Sequence, residues 1–260
     1  MSSQRTLVLA AVAIVVLGAG AFFAYDTFLR GDEVDPLALP SASASAAAVA
    51  SASPTDVASP DPAATDPASP DAGTLGAAQD YAGDWTIVEP SEAGYRVTEQ
   101  LANLPAESEA VGRTSEVSGS VTLVATGDAL QITSGSITVD TTTITSDEDM
   151  RDNRMRTQGL ETDTFTSATF VITAPVDVPA AALDGAVVDL TLAGDLTLHG
   201  VTKAVEIPAQ AQIVDGQVSV VGSLTFPLSD FDIVAPNVGG FIISIADEGT
   251  LEFLVTLARA

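Results

Sequence analysis

His199 is the only histidine in the chain, so any acid–base scheme built on imidazole would have to use it. It stands in Leu196-Thr197-Leu198-His199-Gly200-Val201-Thr202-Lys203, on the polar side of an alternating run and beside a glycine. A serine activated by it would need a strained strand-to-helix elbow of the Gly-x-Ser-x-Gly kind, and the chain has none. A single histidine cannot build a histidine-rich zinc site. With no cysteine there is no thiolate nucleophile, no thiolate metal ligand and no disulfide. Carboxylate pairs are plentiful, but among 35 acidic residues they arise by chance. Asn237-Val238-Gly239-Gly240 lacks the strand–glycine-loop–helix setting of a phosphate or dinucleotide loop. No catalytic residue, metal or cofactor is therefore assigned. His199 reads either as a turn histidine or as a polar group at the mouth of a cavity.

The dense basic cluster is Arg151, Arg154 and Arg156, within Ser146–Thr157. This segment has no strand former. Its acids come first and its arginines last, the order that a helix dipole favours. Ser146, with Asp149 three residues on, is a capping signal. The arginines either pair with Asp147, Glu148, Asp149 and Asp152 or form a positive rim able to meet an anionic headgroup. The whole chain carries a net charge of −26 with nine basic residues. That excludes nucleic-acid binding by phosphate neutralisation, and it opposes adsorption to anionic headgroups.

The elements that must position these groups are strands. In Asp189–Ala204, Leu190, Leu192, Leu196 and Leu198 alternate with Asp189, Thr191, Asp195, Thr197 and His199. A period of two means one buried face and one wet face. Gly194 stands where an apolar residue is due, which predicts a bulge or bend. The run breaks at a turn near His199–Thr202 and resumes through Ile213. Asp215-Gly216 signals a hairpin. Further strands are expected at Trp85–Val88 (stopped by Glu89-Pro90), Gly94–Leu101, Val111–Val124 with a turn near Ser118-Gly119, Ala129–Ile144 with a bulge or tight turn at 134–136, Thr166–Thr173, Gln217–Leu228 and Thr250–Leu257. About 180 residues of this grammar suffice for one all-β core. About eight strands closed on themselves leave an interior that is just packed or that holds one small ligand.

Ahead of the strands lie two different stretches. Thr6–Tyr25 is uncharged over about 20 residues, the length of a bilayer crossing, with Arg5 before it and Arg30, then Asp32, Glu33 and Asp35, after it. It reads as an uncleaved anchor with the remainder outside, the competing reading being a cleaved signal peptide. Residues 31–80, rich in Ala, Ser, Pro and Asp, read as a disordered linker. As a flexible coil its ends would sit roughly 40 Å apart. The organisation is thus 1–30 anchor, 31–80 linker and 81–260 folded domain.

Four segments then resemble one family in order. Leu196–Lys203 resembles the His-Gly-Val-Thr-Lys signature of the YceI-like family. Asp84-Trp85-Thr86-Ile87 resembles its opening strand. Thr145–Arg156, with Arg151-Asp152, resembles its Thr…Arg-Asp helix and is followed by Phe165 and Thr166–Phe170. Phe231-Asp232-Ile233 and Asn237–Phe241 resemble its tail motif. A histidine common early in the family is absent, and Glu92–Gly94 occupy that region.

The resemblance implies a single antiparallel lipocalin-like β-barrel with one short helix, and a non-enzymatic protein that binds a lipophilic molecule, a polyprenyl or quinone-like chain. It places the Phe231–Phe241 loop and Arg151 around the cavity. Strand phase adds Phe170, Leu190, Leu192, Leu196, Leu224 and Phe226 as inward-facing, and His199 is the polar candidate at the mouth. The Ala-rich, single-lysine composition points to a bacterial source. The expected place is the bacterial cytoplasmic membrane, crossed once, with the barrel outside it, or a secreted form if the leader is cleaved. The alternative is a cell-envelope domain that binds a partner through a packed barrel with no ligand.

Overall fold

The structure is a computed structural model and describes residues 34–40, 77–101, 107–236 and 242–260. The expected anchor at Thr6–Tyr25, most of the linker, and Asn237–Phe241 lie outside the described residues. Among the described residues no helix is long and apolar enough to cross a membrane.

Ten strands form one sheet: β1 Gly83–Leu101, β2 Glu107–Thr114, β3 Val117–Thr126, β4 Ala129–Asp140, β5 Ser167–Ile172, β6 Val176–Val178, β7 Val188–Leu198, β8 Val201–Val214, β9 Gln217–Pro227 and β10 Ile242–Arg259. Eight of them close a barrel in the order β1-β3-β4-β5-β7-β8-β9-β10, with β10 returning to β1, every pairing antiparallel. Closure pairs each of these eight strands on both sides, which removes the edges an open sheet would present. β2 and β6 are additions. β2 pairs with the far half of β1, and β6 pairs with β4. Two short helices, α1 Ala78–Tyr81 and α2 Asp149–Thr157, flank the barrel.

The alternation in β7 is the expected one, with Val188, Leu190, Leu192, Leu196 and Leu198 buried. His199 and Gly200 take φ of 50° and 75°, and Asp215 and Gly216 take 52° and 78°. Both are two-residue hairpin turns whose twist matches the strands they join.

Four local expectations are corrected. Glu89-Pro90 does not end the first strand. The peptide is cis, the ladder to β10 shifts register between Val88 and Glu92, and β1 runs on for 19 residues. The turn before β3 lies at Ser115-Glu116, and Gly119 is inside the strand opposite Ile137. The irregularity in β4 falls at Thr133, where the ladder skips from Ser134 to Ile132. Gly194 makes no bulge; it pairs in register with Val205 and Ile172. Its missing side chain makes room for Phe170, whose ring carbons Cζ and Cε2 lie 2.5 and 2.6 Å from where a Cβ would stand.

Trp85 is 1% exposed and belongs to the core. Its Nε1 donates to the Tyr81 carbonyl at 2.9 Å, which ties α1 to β1. Arg259 donates to the carbonyls of Asp80 and Ala82 and fixes the last strand to the same helix.

Candidate functional site

The inward faces leave a cavity. Its volume is about 50 Å³. A single water needs roughly 10–15 Å³ of such space, so the cavity has room for a short stretch of chain. Its walls are apolar apart from Gly135 and Ser136. Phe170, Leu190 and Leu192 line it, as do Ala211, Val220 and Phe253. The half-buried Val121, Ile137 and Ile172 form the wall on the β3–β4–β5 side.

The other inward candidates lie elsewhere in the core. Leu196, Phe226 and Phe231 are buried, and Leu224 is partly buried, but none of these four lines the cavity. Phe226 and Phe231 meet edge to face, centroids 5.0 Å apart, and pack the barrel interior near the β7–β8 turn. Phe241 lies outside the described residues.

His199 works in that turn. Its Nδ1 lies 3.0 Å from the Phe231 carbonyl oxygen. A carbonyl can only accept, so Nδ1 carries the hydrogen. Nε2 is buried without a hydrogen-bond partner, 4.0 Å from a Glu161 carboxylate oxygen. The ring lies 4.3 Å from that of Phe165, and Phe165 also fills the space where a Gly200 side chain would be. Lys203 pairs with Asp230 at 2.7 Å. The His-Gly-Val-Thr-Lys hairpin thus holds the C-terminal end of the short 3₁₀ turn Leu228–Phe231 through the adjacent Asp230 and Phe231. Three of the sequence segments singled out above meet at one point in space.

A second polar group lies on the inner face beyond the cavity. Ala93 pairs with Phe253, and the next inward position on β1 is Tyr95, followed by Val97 and Glu99. Glu99 is 2% exposed and receives both Nε and an Nη of Arg151, each at 3.2 Å. This fork-to-carboxylate pairing is the geometry that Arg favours. Arg151 also contacts Asp147. Burial opposes its charge, but the hydrogen bonds and charges of Glu99 and then Asp147 outweigh that, and the guanidinium pKa is raised. Ser146 does not cap α2; its N–H and hydroxyl both donate to Asp152, at 3.0 and 2.7 Å, and Glu148 holds the cap position. Arg156 donates to Asn153. Of the predicted basic rim, Arg151 is already neutralised.

Tyr95 was not found by sequence reasoning. Its ring lies across Gly112, where a Cβ would come within 2.3 Å of it. The hydroxyl is buried and has no hydrogen-bond partner. Burial raises its pKa, with the charge of Arg151 opposing and Asp152 and Glu99 adding. The only available sequence signal was Gly112 facing Tyr95 across two strands, and that is invisible until the strands are paired. Among the described residues no cluster of three metal-ligating side chains occurs.

A model of the YceI-like domain family matches residues 85–257, which span the whole barrel. Among solved structures, a polyisoprenoid-binding domain from Saccharophagus degradans, implicated in plant cell wall breakdown, superposes with a TM-score of 0.52 at 17% identity. The match covers 68% of this chain and 98% of that one. Burkholderia cenocepacia BcnA gives 0.48 at 22% identity, covering 64% and 95%. A Campylobacter jejuni YceI protein gives 0.43 at 15%, covering 55% and 82%. Among curated proteins there is no match.

Proposed function

Because the chain belongs to the YceI-like family, we propose that its barrel binds a lipophilic molecule, a polyisoprenoid or quinone-like amphiphile, outside the cytoplasmic membrane. The observation that carries this reading is the cavity inside a closed barrel, walled by apolar side chains save Gly135 and Ser136. Such a site recognises chain by removing it from water, at about 0.8 kcal/mol per methylene. It has nothing with which to bind a charge. The Saccharophagus neighbour, a polyisoprenoid-binding domain, supports the same ligand class.

Orientation needs a few polar groups at the entrance. The Tyr95 hydroxyl, buried and without a partner, is the free donor on the inward face of β1. An oxygen of the ligand head satisfies it, beside the Arg151–Glu99 pair. The role is binding rather than turnover, since His199 holds a turn together. Thr6–Tyr25 anchors the protein, and the barrel collects its ligand at the outer surface of the bilayer.

The test is uptake of a polyprenyl lipid from vesicles by the full chain. Ala211 is 3% exposed and borders the cavity, so Ala211→Leu fills the space without introducing charge. Uptake is expected to fall at least tenfold while stability holds. Leu192→Arg is expected to abolish uptake. Undiminished uptake in both variants would remove the cavity as the binding site.

A further inference from the structure

We propose that Val34–Pro40 is a built-in docking peptide that clips the chain to the outer face of the β2–β1–β10 sheet. That face carries an unusual charge cluster. On β10, Phe253 points inward, so its neighbour Glu252 points outward, yet Glu252 is only 4% exposed. It receives Arg96 Nε at 2.9 Å and the guanidinium of Arg113 at 2.8 and 2.9 Å. Arg113 reaches it from β2 by crossing Gly94, where a Cβ would stand 2.8 Å from Arg113 Cγ. Arg96 also holds Glu109 at 2.6 Å. Val111, opposite Arg96 on the same face, is 8% exposed but does not belong to the barrel core.

Outward side chains this dry have other residues over them, and Val34–Pro40 lies over Glu252 and Arg113. The Leu37 N–H donates to Glu252 Oε2 at 3.3 Å, between residues 215 apart in sequence. Arg113 donates to the Asp35 carbonyl. Leu37 and Leu39 are half-buried, whereas Val34, Asp35, Pro36, Ala38 and Pro40 are exposed. That is a period of two, with Pro36 before and Pro40 after the alternating leucines. The recognition elements are therefore two alternating leucines and two backbone groups read by the buried Glu252 and the half-buried Arg113.

The clip changes what the linker does. The chain between Pro40 and Ala77 leaves and rejoins the same barrel, so it is not a stalk that lifts the barrel away. Where Thr6–Tyr25 is the anchor proposed above, only residues 26–33 separate it from the clip. Eight residues span at most roughly 28 Å, against the roughly 40 Å mean reach, and far longer full reach, of the whole linker. The clip holds the barrel close to the bilayer.

The chain has no cysteine, and Val34 is 43% exposed, so Val34→Cys accepts a nitroxide at one defined place. The full chain in lipid nanodiscs is then read by amide relaxation. The expected result is a severalfold intensity loss at the amides of Arg113 and Thr250, with the β7–β8 turn unaffected. Adding Leu37→Pro removes the N–H that Glu252 accepts and is expected to abolish that loss while leaving the other barrel amides in place. Absence of the loss in the first sample would overturn the proposal. So would a loss that appears only between a labelled chain and a separate isotope-labelled one, since that is exchange between copies. Failure of the anchor reading shows differently, as protein that stays in the aqueous phase with the intensity loss intact.

Discussion

Two glycines and two large side chains explain the polar architecture around β1. Tyr95 crosses Gly112 on the inner face, and Arg113 crosses Gly94 on the outer face. Each glycine supplies room that a Cβ would close. On the inner face the result is a tyrosine hydroxyl without a partner, and that has a pH signature. Burial raises the Tyr95 pKa. In the unfolded chain tyrosine ionises near pH 10. Stability that depends on keeping Tyr95 neutral is therefore complete below about pH 10 and is lost as pH climbs towards the folded-state pKa. The expected contribution is a loss of about 1.4 kcal/mol in unfolding free energy between pH 9 and pH 11. Denaturant titrations of Tyr95→Phe should lack that component. At pH 7 the same variant should be no less stable, because it removes a buried hydroxyl that bonds to nothing. An identical alkaline loss in both proteins would mean that Tyr95 is not the group responsible. Neither glycine contact was legible in the sequence, because each joins residues brought together only by strand register.

At the scale of elements, alternation was the readable signal. β7, β8 and β9 were legible almost to the residue, because each has one wet face and is bounded by a two-residue turn with positive φ. The β1–β4 region was less so. A proline normally removes a ladder hydrogen bond and ends a strand. Here the strand absorbs Glu89-Pro90 at a register shift, with Ser91 Oγ donating to the Val88 carbonyl and accepting from the Thr256 N–H. Leu37 and Leu39 stand in a linker of small and polar residues, and two leucines have no visible periodicity until the surface that receives them is known. Gly194 shows how a correct observation can carry the wrong geometry. The position was rightly singled out, but it marks contact with Phe170 rather than a bend. The Val171 carbonyl oxygen would lie 2.4 Å from an added Cβ and belongs to the paired strand, so it cannot easily move aside. Gly194→Ala should therefore destabilise by about 1–3 kcal/mol, the usual range for overpacking. Thermal unfolding checks this, and a melting temperature at or above that of the parent would show that β5 and β7 tolerate separation.

For the whole molecule, closure of eight strands into a barrel follows from patterns that sequence carries well, but the content of the interior does not. The same alternating leucines serve a packed core and a lined cavity, and only the paired strands separate Leu190 and Leu192 at the cavity from Leu196 and Phe226 in packed core. The charge of −26 keeps the outer surface hydrated and leaves apolar binding to the interior. The most direct test of the central claim is native mass spectrometry of the full chain released under mild detergent, followed by organic extraction. The expected result is a discrete adduct that extracts as one class of isoprenoid or quinone-like lipid and is lost in Ala211→Leu. A bare mass, persisting after incubation with polyprenyl and quinone lipids, would contradict it.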